Sequence, residues 1–300
     1  MPAAGAGLVG RWRERCGPMR IYPPKPPVLV RAIHAIKRIV PRQVWVSIAA
    51  PYWWWYNRAR HQAAALSDGR LRGSQRRLEG MRNLHGGKRC FVIGNGPSLK
   101  QTDLGLLKGE FTFGLNRIYL LFPQLGFSTT YLVAVNTLIT EQCAQDIRTL
   151  GMPKFITWRA RDHLRGDPEV VFLDTDYTGP ATFSTQATGR LFEGSTVTYV
   201  ALQLAFHMGF EQVILVGVDH RFRTQGQPNV PVVSQGEDPD HFSPDYFGKG
   251  FRWQLPDLAA SERAYELARQ AFDRAGRRVL DATIGGELTV FPKVRYQDLF

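Results

Sequence analysis

The run Gly94-Asn95-Gly96-Pro97-Ser98 combines two glycines, an amide, a proline and a hydroxyl directly after an apolar stretch. Glycine reaches backbone angles closed to other residues and lets a ligand approach the main chain. Proline suits the first turn of a helix. Such a turn can present backbone N–H groups and a helix start to an anion such as phosphate; a plain tight turn is the simpler reading. The loop lacks the Gly-Lys-Ser/Thr of a Walker P-loop and the full dinucleotide fingerprint.

Further polar residues recur where apolar runs end. Asn116 and Asn136 could each read a base edge or a ribose, or merely stabilise a turn. Gly194-Ser195-Thr196 opens an apolar helical pattern and offers a second hydroxyl-rich helix start, for phosphate or carboxylate, or as a simple cap. Asp219, in Gly217-Val218-Asp219-His220-Arg221, could hold Mg²⁺, a ribose or a sugar hydroxyl. Arg221 and Arg223 could neutralise a leaving phosphate, or form local ion pairs. The segment Asp238–Gly250 mixes prolines, glycines, aspartates and aromatics around His241, with Asp240 and Tyr246 as supporting residues. A loop of this composition carries function more often than core. Its histidine could act as a general base near neutral pH, or serve a structural role.

These residues need a frame. Cys90–Ile93, Phe111–Leu115, Tyr131–Val135, Lys154–Thr157, Val170–Leu173 and Val213–Val216 read as short buried strands, and Arg278–Leu280 begins a last one. Thr137–Leu150, Ser195–Met208 and Leu258–Ala275 carry helical spacing. Val197, Val200, Ala201, Leu204, Ala205 and Met208 make one apolar face of the second helix, with Gly209 ending it. The alternation predicts an α/β fold, Rossmann-like and doubly wound, with a mostly parallel sheet. Ligands of such sheets gather beyond the carboxyl ends of the strands, where the candidate residues fall. Ser67–Gly87 reads as a linker or surface helix, which puts the α/β domain at residues 86–300 and a basic, Trp-rich extension at 1–85.

The 300 residues carry a net charge of +12, unevenly distributed. The first ninety residues hold 18 Lys and Arg against three acids, a net +15; the remainder is −3. Trp12, Trp45, Trp53, Trp54 and Trp55 lie in the same stretch. Basic charge beside an aromatic cluster (Tyr52–Tyr56) points to an anionic membrane surface contacted through residues 1–60, or to rings that cover the protein's own surface among solvated arginines. Nucleic acid is not expected, since no nucleic-acid motif accompanies the charge. No apolar stretch reaches the roughly 20 residues of a membrane span. Three scattered cysteines build neither a disulfide framework nor a metal pair, so a cytoplasmic setting is expected, peripheral at the inner membrane face. The oligomeric state is left open.

Phe91–Leu99 (FVIGNGPSL), Phe113–Phe122 (FGLNRIYLLF) and Gly194–Asp219 (GSTVTYVALQLAFHMGFEQVILVGVD) together resemble the archaeal-type 6-hydroxymethylpterin diphosphokinase family (MptE-like), over residues 86–300. The Gly-Asn-Gly-Pro-Ser-Leu loop is also similar to that of bacterial lipooligosaccharide-type sialyltransferases, which use a cytidine-monophosphate sugar. That resemblance implies nucleotide contacts from Asn95, Ser98 and Asn116, phosphate or carboxylate contacts from Ser195 and Thr196, and a general base at His241. Where those enzymes place a tyrosine two residues after the Asp, this chain has Arg221, an electrostatic substitute at the leaving phosphate.

The expectation is therefore a nucleotide-dependent transferase. The leading form is a metal-independent glycosyltransferase in surface glycan synthesis, with no tightly bound cofactor, a CMP-sugar donor and a glycan or small-molecule acceptor. The alternatives are a pterin pyrophosphokinase, with Asp219 and a second carboxylate on the Mg²⁺ of Mg-ATP, and a non-enzymatic nucleotide-binding module.

Overall fold

The computed structural model describes residues 67–177, 181–224 and 226–300. The basic, Trp-rich segment and its membrane-contact expectation therefore lie outside the described residues, apart from Ser67–His85.

Seven strands form one parallel sheet: β1 (Arg89–Ile93), β2 (Phe111–Leu115), β3 (Tyr131–Ala134), β4 (Lys154–Thr157), β5 (Val170–Leu173), β8 (Gln212–Val216) and β11 (Arg278–Asp281). Their order is β11-β8-β1-β2-β3-β4-β5. The chain winds outward from β1 to β5, then crosses back to β8 on the other side of β1. This reversal makes the protein a Rossmann-like, doubly wound α/β fold with its switch point between β1 and β8. Two small ribbons complete it: β6 (Thr175–Asp176) with β7 (Leu191–Phe192), and β9 (Pro231–Val233) antiparallel to β10 (Arg252–Gln254).

Alternation along each strand divides the core. Cys90, Val92, Phe113, Leu115, Val213 and Leu215 face one side. There they pack on α5 (Val197–His207) and α6 (Leu258–Arg274). Phe91, Ile93, Leu132, Ile214 and Val216 face the other, beneath short 3₁₀ turns, α2 (Phe122–Leu125), α3 (Thr137–Gln142), α4 (Ala144–Arg148) and the excursion that bears Phe242, Tyr246 and Phe247. The single helix expected over Thr137–Leu150 is broken at Cys143, where the backbone leaves helical angles (φ −111°, ψ 15°).

The stretch Ser67–Gly87 is more than a linker. Its α1 (Gly69–Gly80) is capped by Asp68 and buries Leu71, Ser74 and Leu78. Ser74 Oγ accepts from Phe172 N at 2.8 Å, and the Arg77 guanidinium donates to Val170 O at 3.0 Å. Helix α1 thus satisfies the open edge of β5, which otherwise exposes unpaired backbone groups. Its inner stripe holds only two apolar residues, so periodicity alone understates it. At the opposite edge, Asp281 N donates to Pro292 O at 2.9 Å and Val294 N to Asp281 O at 3.0 Å. Among the described residues no helix is long and apolar enough to cross a membrane.

Candidate functional site

Ile93 of β1 is level with Val216 of β8, so the chain leaves the sheet from both strands at one height. The two loops then bind each other. Gly94 N donates to Val216 O at 2.8 Å and Gly96 N to Gly217 O at 2.9 Å. Ser98 donates its N–H to Asp219 Oδ1 at 3.1 Å and its hydroxyl to Asp219 Oδ2 at 2.6 Å. Both residues are buried. The glycines are required by this approach: a Cβ on Gly94 would lie 2.3 Å from Gly217 O, and one on Gly96 1.9 Å from Asp219 Oδ2. Pro97 opens only a 3₁₀ helix, Pro97–Gln101. Asp219, rather than an external anion, receives the Ser98 amide of that turn.

The His241 loop is tied to the same place. Phe242 N donates to Asn95 O at 2.9 Å. Asp240 is buried and accepts from Arg223 N at 2.5 Å and from the Thr224 hydroxyl at 2.5 Å, which joins this loop to the one after β8. His241 stacks on Tyr246 at 4.0 Å with an interplanar angle of 7°, and meets the edge of Phe247 at 4.9 Å. Its Nδ1 lies 2.8 Å from Asp238 Oδ2. Asp238 is fixed in turn by Phe247 N at 3.2 Å and Asp240 N at 2.8 Å. A carboxylate on one ring nitrogen sets the tautomer and leaves Nε2 for proton exchange. Burial pushes the Tyr246 phenol well above its ordinary range, so it stays protonated beneath the imidazole. Arg117 donates to the Tyr246 carbonyl and lies over the Phe251 ring at 5.1 Å.

Asn116 takes a left-handed backbone (φ 49°), rare outside glycine, and its N donates to Val133 O at 2.9 Å. The side-chain oxygens of Asn95 and Asn116 are both buried without a partner. Such orphans call for an explanation, an absent ligand being one. Asn136 behaves differently: its Oδ1 accepts from Leu138 N at 2.9 Å and caps α3.

At α5, Thr196 is the cap, its hydroxyl accepting from Thr198 N at 3.3 Å. Gly194 and Ser195 are both left-handed (φ 58° and 59°), and Ser195 is exposed. A Cβ at Gly194 would strike Tyr199 and Ala264 at 2.6 and 2.7 Å. Thr196 Oγ1 lies 3.3 Å from the Tyr265 hydroxyl, and the Tyr265 ring lies against His220 at 6.2 Å. Arg221 is an exposed cation 3.8 Å from Glu287, a loose pair of little energetic weight.

The structure thus brings together Gly94–Ser98, Asp219, Asp240, His241 and Tyr246 through direct contacts, and connects Thr196 to the loop after β8 through Tyr265. Residues Asp238, His220, Glu262 and Arg117 were not singled out from sequence. Asp238 had a visible signal, standing three residues before His241; Glu262 had none. A cleft of about 580 Å³ opens beside the His241 loop, with Leu99, Lys100, Leu104, Leu121, Phe242 and Pro244 among its walls. None of the site residues expected from sequence lines it. Among the described residues no cluster of three or more His, Cys, Asp or Glu could hold a metal.

Fold and site define a Rossmann-like domain whose switch point is overlaid by a histidine-bearing loop. Neither a family model nor a curated protein matches the sequence. Among solved structures the chain is similar to the MAf glycosyltransferase from Magnetospirillum magneticum AMB-1, at 15% identity and a TM-score of 0.46, covering 76% of this chain. The chain spans 38% of the length of that protein.

Proposed function

We propose that this protein is a nucleotide-dependent transferase, a glycosyltransferase in which His241 is the general base. The observation that carries this reading is the His241–Asp238 pair, 2.8 Å apart on a loop hydrogen-bonded to Asn95. An imidazole clamped at Nδ1 and open at Nε2 is suited to removing a hydroxyl proton from an acceptor as a new bond forms, a contribution of about 10²–10⁴-fold in rate. Asn95 and Asn116, with unpartnered oxygens, hold the nucleotide; Ser195 and Thr196 face its anionic end; Arg221 steers the anionic donor at the rim. The cleft beside Phe242 takes the acceptor. A nucleoside-monophosphate sugar of the CMP class, implied by the sialyltransferase resemblance, is the first donor to test. Both oxygens of Asp219 already accept from Ser98, which favours a metal-independent reaction over the Mg-ATP pyrophosphokinase. The basic charge and tryptophans of the N-terminal sequence support a setting at a membrane face, with surface glycans as acceptors.

A thermal-unfolding panel with CMP, CDP, UDP and Mg-ATP tests the reading, since a bound ligand raises the midpoint by mass action. Protection by CMP, with sugar transfer lost in His241→Ala, is the expected result. Protection by Mg-ATP alone replaces it with the pyrophosphokinase, and nucleotide binding without turnover of any donor replaces it with a binding module.

A further inference from the structure

His220 follows Asp219 at the end of β8, the strand beside the switch point. It is a non-glycine residue in the left-handed region (φ 56°). Residues held in such conformations are strained and cluster at functional sites. Its side chain is 7% exposed, and its Nε2 lies 3.0 Å from Glu262 Oε1 on the second turn of α6. Its Nδ1 takes no hydrogen bond among the described residues and is not sealed from solvent. The ring packs edge-on against Tyr265, whose hydroxyl reaches the Thr196 cap of α5. His220 therefore mirrors His241. Each imidazole has one nitrogen clamped by a carboxylate and the other open, one beside the α5 start and one on the Asp238–Gly250 loop.

We propose that the site holds two imidazoles and that His220 serves the phosphate of the donor. This rests on the nucleotide-donor reading above. As the sugar carbon–oxygen bond to phosphate breaks, its electron pair remains on the phosphate oxygen. The acceptor oxygen forms the new bond and its proton passes to His241 Nε2. In its imidazolium form, held at Nε2 by the Glu262 carboxylate, His220 donates a hydrogen bond from Nδ1 to the phosphate oxygen that gains charge. Charge-assisted bonds of this kind are the strong ones and act where charge develops. Arg221, one residue on but exposed, is less well fixed for this role.

The test uses the full chain with inorganic phosphate and CMP as probes. Imidazole ¹H–¹⁵N spectra of the wild type should show the His220 resonances shifting with both. His220→Asn keeps a residue tolerant of the left-handed backbone, and should weaken CMP binding about tenfold or more. Glu262→Gln, at a half-exposed position, should weaken it less and covers the case in which His220→Asn does not fold. Unmoved His220 resonances, or wild-type CMP affinity in folded His220→Asn, overturns the proposal. Donor turnover with unimpaired His220→Asn also overturns it, while leaving the glycosyltransferase reading intact. A His220 that answers phosphate in a protein that cleaves no sugar donor upholds the anion site and removes the glycosyltransferase reading.

Discussion

Ser98 donates both its backbone N–H and its hydroxyl hydrogen to the Asp219 carboxylate, at 3.1 and 2.6 Å. This contact joins the loops after β1 and β8 across the switch point, with Gly96 pressed against the same carboxylate. The Gly-Asn-Gly-Pro-Ser sequence therefore has a packing reason for its glycines besides any ligand. Gly96→Ala should destabilise the fold by about 1–3 kcal/mol, since the added methyl has nowhere to go. Ser98→Ala leaves a buried carboxylate short of one donor and should cost about 1–3 kcal/mol. Urea unfolding of both variants checks this; wild-type midpoints would mean the contact is unimportant.

His241→Ala should lower transfer by about 10²–10⁴-fold while leaving nucleotide protection against heat in place. Asp238→Asn should retain the loop and lower kcat more than it changes KM, because the amide can present the wrong hydrogen-bonding group to Nδ1. Steady-state kinetics on the two variants separate base from orienting partner. Equal effects on KM alone would assign both residues to binding.

Asp68 caps α1 and meets Arg70 and the Trp158 indole N–H. Burial raises its carboxyl, but the Arg70 side-chain and backbone hydrogen bonds and the Trp158 contact outweigh it and hold the group at about 2, against an ordinary 3.8. A depressed carboxyl stabilises the fold above its unfolded value and loses that contribution as pH falls toward the folded one. Stability should therefore drop between about pH 4 and pH 2 by about 2 kcal/mol through this group. Denaturant unfolding of wild type and Asp68→Asn at pH 7 and pH 2.5 measures it, the variant showing a smaller acid loss.

Lys154 and Asp167 form a buried pair, Nζ to Oδ2 at 2.8 Å, with side chains 0% and 5% exposed. Asp167 Oδ2 otherwise lacks an aligned hydrogen bond, so the contact is chiefly ionic. Lys154→Ala strands the carboxylate and should cost about 3–5 kcal/mol. The double change Lys154→Met with Asp167→Leu should cost far less, because it removes both desolvated charges. Calorimetric midpoints of the two proteins decide this.

Much of the fold was legible because buried parallel strands read as apolar runs: Phe111–Leu115, Lys154–Thr157 and Val170–Leu173 appear with the bounds expected. Helix α5 was legible from its capping threonine and apolar length. Helix α1 was legible only as a linker or surface helix, since the Ser74 hydroxyl that accepts from β5 carries no periodic signal. The continuous helix over 137–150 failed at Cys143, a buried core residue whose backbone leaves helical angles.

For the site, the sequence by itself determined which chemical groups stand at strand ends, because strand and loop boundaries follow local hydrophobicity and glycine placement. Only the tertiary structure decided how each is used. Asn136 is drawn into a cap, Asp219 into a brace for Ser98, and Arg221 to the surface, while His241 gains a partner in Asp238. His220 and Glu262, 42 positions apart, meet because α6 packs beside the end of β8. Pairings of that span depend on where the whole chain places two loops, which no local pattern encodes.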